Sequence, residues 1–312
     1  MTISVLRTAD AWWVQTPTGA VKIETAAATT GELLTDRSAI EAAAHGANTV
    51  PVDGLDLQSP VTAPCRVVAQ MTNFVSHVED AGMDPKSIPL TFFRKASASI
   101  SGPFADIVKP QHVRLMDYEV EIGLVIGRSI PVGTEITEAN LADYIAGLVV
   151  TNDVSARDVQ LPQTQFYEAK SYPTFTPVGP ALVLLDAGEL KRFGDLRLQT
   201  RVSGELRQDM LVEGDMIYGP LQALQSLTRF QDLNAGDLVL TGTPVGTALS
   251  APPKAVQMIS SLLPPAIKWK AFFKTQANNQ NYLKHGDVVE LSVATDDGAI
   301  DLGTQRTPVT YA

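Results

Sequence analysis

"MDYEVEIGLVIGRSI", Met116 to Ile130, decides how this chain is read. It has the pattern of a strand, yet Asp117, Glu119 and Glu121 fall at alternate positions just before an apolar run. Side chains two apart in a strand point the same way, so Glu119 and Glu121 share one face while Tyr118, Val120 and Ile122 take the other. Two carboxylates held together repel. The ways out are solvent, protonation of one member, or a bound cation. A solvated edge is the simplest account of an isolated E-x-E. Here the run Gly123-Leu124-Val125-Ile126 reads as buried, which argues against a wet edge and turns attention to further oxygen ligands.

A third ligand candidate lies in "GLVVTNDVSARDVQ", Gly147 to Gln160. A buried strand ending at Asn152-Asp153 delivers polar groups to the rim of a core. Arg157 and Gln160 follow at spacings that put them on one side of a helical turn. A cation held by Glu119, Glu121 and Asp153 would have three hard oxygen ligands and open positions, which suits Mg²⁺ or Mn²⁺, with Ca²⁺ as a further candidate, and does not suit Zn²⁺. Standing alone, Asp153 would read as a turn residue or helix cap.

The rest of the chain sets the frame. Its 312 residues, 45% hydrophobic and 19% charged, are enough for a full core in one large domain or a small domain plus a large one. A net charge of -10 without a basic patch speaks against nucleic acid as a partner. Cys65 is the single cysteine, which excludes an internal disulfide and a Cys/His zinc pattern and fits a reducing location. No stretch has the length of a membrane span, and "MTISVLRTADAWWVQ" lacks a signal-peptide core, so the expectation is a cytoplasmic protein. Residues 1–60 read as a small N-terminal α+β domain, with two short strands in "AWWVQTPTGAVKIE" and one helix in "TGELLTDRSAIEAAAHG". Residues 61–312 alternate short apolar runs with turns, the pattern of an α+β or mainly β catalytic domain rather than a doubly wound nucleotide binder. A segment at about 250–283 reads as helical, broken at Pro264-Pro265.

"DYEVEIGLVIG", "TNDVSARDVQ", "EAKSY", "PVGP" and "LVLTGTPVG", in that order, resemble the fumarylacetoacetate hydrolase family. "NFVSHVEDAG" and "FFRKASASISGP" upstream and "LKHGDVVEL" downstream extend the resemblance over roughly residues 65 to 310. It implies a mixed β-sandwich roll, a β-barrel-like catalytic fold, in a homodimer, with a divalent cation and a small 2-oxo or 1,3-dicarbonyl acid as substrate. It maps the metal carboxylates onto Glu119, Glu121 and Asp153. It also implies that His77 activates water, that Lys170 is an active-site lysine, and that Arg157, Gln160, Thr243 and Lys95 are on the substrate side. Many members pair the histidine with a glutamate three residues on. Here that position is Asp80, with Glu79 beside it, so the partner of His77 is left open between the two.

The reaction expected first is hydrolysis of a C–C bond in a 2,4-dioxo acid, with oxaloacetate decarboxylation and hydratase or isomerase chemistry on a 2-oxo acid as alternatives. A catalytically silent metal-binding protein is a reading of another class. "SHVEDAGMDPKSIPL", Ser76 to Leu90, has the glycine and prolines of a closing lid. The 250–283 segment reads as packing or a dimer contact, or as a substrate cap in which Trp269, Phe272 and Phe273, with Lys268, Lys270 and Lys274, cover an apolar acid.

Overall fold

A computed structural model describes residues 2–250 and 263–312. The chain is a strand-rich α+β fold. Its largest sheet has ten strands, in the order Thr49–Val50, Gly19–Lys22, Trp12–Thr16, Ile3–Arg7, Leu182–Leu184, Ile145–Asn152, Val120–Ile126, Leu238–Leu240, Val67–Gln70 and Phe92–Lys95. A second sheet has five, Glu205–Leu211, Leu196–Val202, Val288–Thr295, Asp301–Tyr311 and Ile107–Lys109.

The strand Val120–Ile126 shows why the sheets stack. Ile122, Leu124 and Ile126 point into a cluster shared with Leu196, Leu198, Leu291 and Val293 of the second sheet. Val125 points the other way, into a cluster with Val149, Leu182, Leu238, Leu33 and Ile40. A strand apolar on both faces can only be central, and this one lies between Ile145–Asn152 and Leu238–Leu240.

Residues 1–60 add four strands to one end of the large sheet, since Ile3–Arg7 pairs antiparallel with Leu182–Leu184. One sheet and one apolar cluster cross residue 60, so the division into 1–60 and 61–312 is a proposal about folding units rather than a break in the framework.

Two local expectations are corrected. The single helix of the N-terminal region is two, Thr30–Thr35 and Arg37–Ala44, because the Asp36 side chain accepts a hydrogen bond from the Ala39 N–H and starts a second helix. The single strand of the opening stretch is also two. Met116–Asp117 pairs with Ser155–Ala156, and Val120–Ile126 begins after a break at Tyr118-Glu119. At the break, side chains take the backbone donors: Tyr118 N–H donates to Asp117 Oδ1 at 2.9 Å and Glu119 N–H to Asn152 Oδ1 at 3.0 Å. In the 250–283 segment the helix Pro265–Gln276 begins at the proline pair. The earlier part of that segment, 251–262, lies outside the described residues. Among the described residues no helix is long and apolar enough to cross a membrane.

Candidate metal and oxo-acid site

Glu119, Glu121 and Asp153 come together at the ends of the two central strands. Each offers a carboxylate oxygen within 4.8 Å of the others, and all three are buried. The chain path fixes them mutually, since Asp153 N–H donates to the Glu119 carbonyl at 2.9 Å. The break in the opening strand leaves the shared direction of Glu119 and Glu121 intact.

Buried charge must be paired, and three basic side chains do this. Arg157 opens the helix Arg157–Gln163 and donates from Nε to Asp117 at 2.8 Å and from Nη2 to Glu119 at 2.5 Å. Its Nη1 holds the Gln160 side chain at 2.9 Å. Lys170 bridges Glu119 at 2.7 Å and Asp153 at 2.5 Å. Lys95 donates to Asp153 and to the Phe175 carbonyl. By formal charge these pairs match Asp117, Glu119 and Asp153 with Arg157, Lys170 and Lys95. Glu121 is left over.

The titration of each group follows from that arrangement. Burial favours the neutral acid at Glu119, but Arg157 and Lys170 outweigh it and hold the group well below the usual carboxylate range. Burial also works against the charge of Lys170, and Asp153 and Glu119 carry its affinity for the proton above the ordinary lysine value. Glu121 goes the other way. Burial, then repulsion from Asp153 and Glu119, raises it well above the usual range. It makes no ion pair among the described residues, and Gly242 N–H donates to it at 2.7 Å. Gly242 can approach so closely because its φ is +83° and an added Cβ would lie 2.9 Å from Asn73 Cβ. A buried carboxylate without a cation, beside two others, is a donor set that a hard divalent cation completes. The triad can hold such an ion.

The triad is part of the wall of a cavity of about 860 Å³. Arg157, Gln160, Lys170, Thr243, His77 and Asp80 line the same cavity. Thr243 is held by Gln208, whose Nε2 donates to its hydroxyl at 2.9 Å. His77 sits in the short helix Val75–Asp80, whose start is fixed by Ser76 on Asp215, with the N–H donating at 2.8 Å and the hydroxyl at 2.5 Å. Burial lowers the proton affinity of His77, only partly offset by Glu119. Its Nδ1 is buried and has no hydrogen-bond partner among the described residues. Burial raises the pKa of Asp80, with His77 opposing. Glu79 is exposed and outside the cavity wall, so of the two acids it is Asp80 that shares the cavity with His77.

Lys95 is also outside that wall. It is fully buried behind Asp153, and burial lowers its proton affinity against the pull of Asp153. Sequence reasoning gave no role to three residues. Asp117 accepts from the N–H groups of Tyr118, Ala248 and Leu249 as well as from Arg157, which ties the 241–249 loop to the site. Gln208 accepts from Val120 N–H and Thr200 while donating to Thr243 and the Pro244 carbonyl. Gln70, at the end of Val67–Gln70, lines the cavity with a buried Oε1 that has no partner among the described residues. The alternation of acids marked Asp117 in the sequence; Gln70 and Gln208 had no local signal. His112 and His285 stay out of the cavity wall, stacked edge-on against Tyr172 and Tyr311.

Known proteins resemble this chain in sequence and in fold. The fumarylacetoacetate (FAA) hydrolase C-terminal family model matches residues 66–310. The rat mitochondrial oxaloacetate tautomerase Fahd2a is 33% identical over 205 residues, 65% of this chain and 63% of the rat protein, so the chain spans less than two thirds of that relative's length. The crystal structure of a probable 2-hydroxyhepta-2,4-diene-1,7-dioate isomerase from Mycobacterium abscessus superposes with a TM-score of 0.75 at 28% identity, covering 100% of this chain and 99% of that one. The fumarylacetoacetate hydrolase of Exiguobacterium antarcticum, at 24% identity and a TM-score of 0.68 over 100% of both chains, shares the fold.

Proposed function

The chain belongs to the fumarylacetoacetate hydrolase family, and from that premise we propose that it is a divalent-cation-dependent tautomerase or isomerase, moving a proton at the carbon next to the carbonyl of a 2-oxo acid. The observation that carries the reading is His77, on the wall of the carboxylate-lined cavity with its buried Nδ1 free of a hydrogen-bond partner among the described residues. A proton shuttle needs an imidazole whose proton affinity is low enough to leave it free to accept, and burial supplies that here. The names of the rat and mycobacterial relatives point the same way.

A divalent cation held by Glu119, Glu121 and Asp153, Mg²⁺ or Mn²⁺ from the hard donor set or else Ca²⁺, would supply Lewis-acid polarisation of the acid's oxygens. The remaining roles belong to the chain. Arg157 and Lys170 present positive charge where a substrate carboxylate or a developing oxyanion would lie, and their ion pairs keep both in one position. Gln160, fixed by Arg157, and Thr243, fixed by Gln208, orient the acid by hydrogen bonds. His77 carries the proton between the carbon next to the carbonyl and the enol oxygen in a tautomerisation, or between two carbons in an isomerisation. Lys95 positions Asp153 instead of touching substrate.

C–C hydrolysis of a 2,4-dioxo acid is the second reading, favoured by Asp80, one helical turn from His77 on the same wall and able to orient the ring for attack by water. Stopped-flow ketonisation of enol-oxaloacetate, run beside cleavage of an acylpyruvate by the same preparation, separates the two. Faster ketonisation with Mg²⁺, falling to the solution rate in EDTA, supports the tautomerase. Acylpyruvate cleavage without faster ketonisation transfers the site to hydrolysis. A homodimer and a cytoplasmic location are part of the same proposal, and light scattering checks the first.

A further inference from the structure

We propose that the cavity selects 2-oxo acids with an aromatic or long apolar tail over small diacids, and that Trp269 and Phe272 make the choice. This deepens the 2-oxo acid reading and rests on it.

Size is the first argument. At about 860 Å³ the cavity lies at the upper end of the ~300–1,000 Å³ typical of pockets for drug-sized ligands, so a four-carbon diacid would leave most of it to water. The second argument is the chemistry of the wall. The charged groups gather around the three carboxylates. Near them Phe93 lies under Lys170, with the ammonium 5.1 Å from the ring centre, and packs on Phe166 at 5.3 Å. Both rings face the cavity.

The helix Pro265–Gln276 supplies the rest. Its aromatic residues fall at 269, 272 and 273, the spacing of one helix face. Phe273 is used in holding the helix, packing on the main core with the Arg114 guanidinium 5.3 Å from its ring. Asn279 donates to the Ala248 carbonyl at 2.8 Å and Tyr282 to Gln276 at 3.0 Å, so the end of the helix is tied to the body by separate contacts. Trp269 and Phe272 meet edge-on at 5.6 Å, are half-buried, and line the cavity. Lys268 is the charged side chain this helix brings to the lining, and its ammonium lies over the Trp269 ring at 5.6 Å. A wall of two half-buried rings on an anchored helix gains stability from an apolar group laid against it.

The test uses oxamate and N-phenyloxamate, unreactive mimics of a 2-oxo acid without and with an aryl tail, titrated calorimetrically into the Mg²⁺-loaded protein. N-phenyloxamate should bind about tenfold or more tighter, from burial of the ring. Trp269→Ala and Phe272→Ala should each remove most of that ratio, with melting curves reporting that the variants fold. The wild-type ratio decides the tail preference without any variant. Equal affinity, or tighter oxamate, overturns the preference while leaving the 2-oxo acid reading in place. A ratio that survives in both folded variants overturns the assignment to Trp269 and Phe272. If neither oxamate binds, the 2-oxo acid reading fails and the inference falls with it.

Discussion

Glu121 is the carboxylate the ion pairs leave over, so its proton should govern both stability and metal binding. Burial and the neighbouring Asp153 and Glu119 raise its folded pKa above that of an ordinary glutamate. A group that binds its proton more tightly when folded stabilises the fold fully below the ordinary carboxylate range and loses that contribution as pH rises through the folded pKa. Between those limits the slope is about 1.4 kcal/mol per pH unit for one proton. For a chain of 312 residues that is roughly 2 °C in Tm per pH unit. The metal-free protein should therefore melt at progressively lower temperature as pH rises above the usual carboxylate range. A cation takes the place of the proton, so Mg²⁺ should raise Tm most at the alkaline end, and its apparent affinity should gain up to about tenfold per pH unit until Glu121 is ionised. Scanning fluorimetry across pH, in EDTA and in Mg²⁺, measures both. Glu121→Gln fixes the neutral form, so subtracting its curve from wild type isolates this one proton. Identical pH slopes for wild type and Glu121→Gln in EDTA would refute the reasoning.

His77→Ala should lower turnover of the enol acid by about a hundred- to ten-thousandfold, while Mg²⁺ still raises Tm as in wild type; a rate within a few fold of wild type removes His77 from proton transfer. On the hydrolytic reading, Asp80→Asn should reproduce part of the His77 defect in acylpyruvate cleavage and Glu79→Gln should not, because of the two acids Asp80 shares the cavity with the ring; steady-state kinetics of the two variants checks it. Lys95→Met should destabilise by about 3 kcal/mol in urea unfolding, since it strips a partner from buried Asp153, whereas Arg306→Ala, at the exposed pair with Glu290, should stay within about 0.5 kcal/mol.

The carboxylate triad was legible in the sequence because a strand repeats every two residues. That period survived the break at Tyr118-Glu119, which only the neighbouring Asn152 and Asp117 side chains explain. Arg157 and Gln160 were legible for the corresponding helical reason. Lys95 was placed on the substrate side because its neighbours in sequence are motif residues. Its place behind Asp153 depends on a partner 58 positions away and on the Phe175 carbonyl, which no local pattern encodes. Gln208 was missed for the same reason, since it joins Val120 to the Thr243 loop across 88 and 35 residues. The choice between Glu79 and Asp80 needed the direction of a single helical turn, and the N-terminal strands needed a partner at Leu182–Leu184 before they could be placed in the large sheet.

The central claim is that Glu119, Glu121 and Asp153 hold a divalent cation that receives a 2-oxo acid beside His77. Anomalous diffraction from a crystal grown with Mn²⁺ and oxalate, an analogue of the enolate of a 2-oxo acid, tests it most directly. The account predicts one strong manganese peak bounded by an oxygen from each of the three carboxylates and by oxalate, with the His77 ring facing the oxalate. Manganese bound elsewhere, or an oxalate that leaves the three carboxylates without a metal, would contradict it.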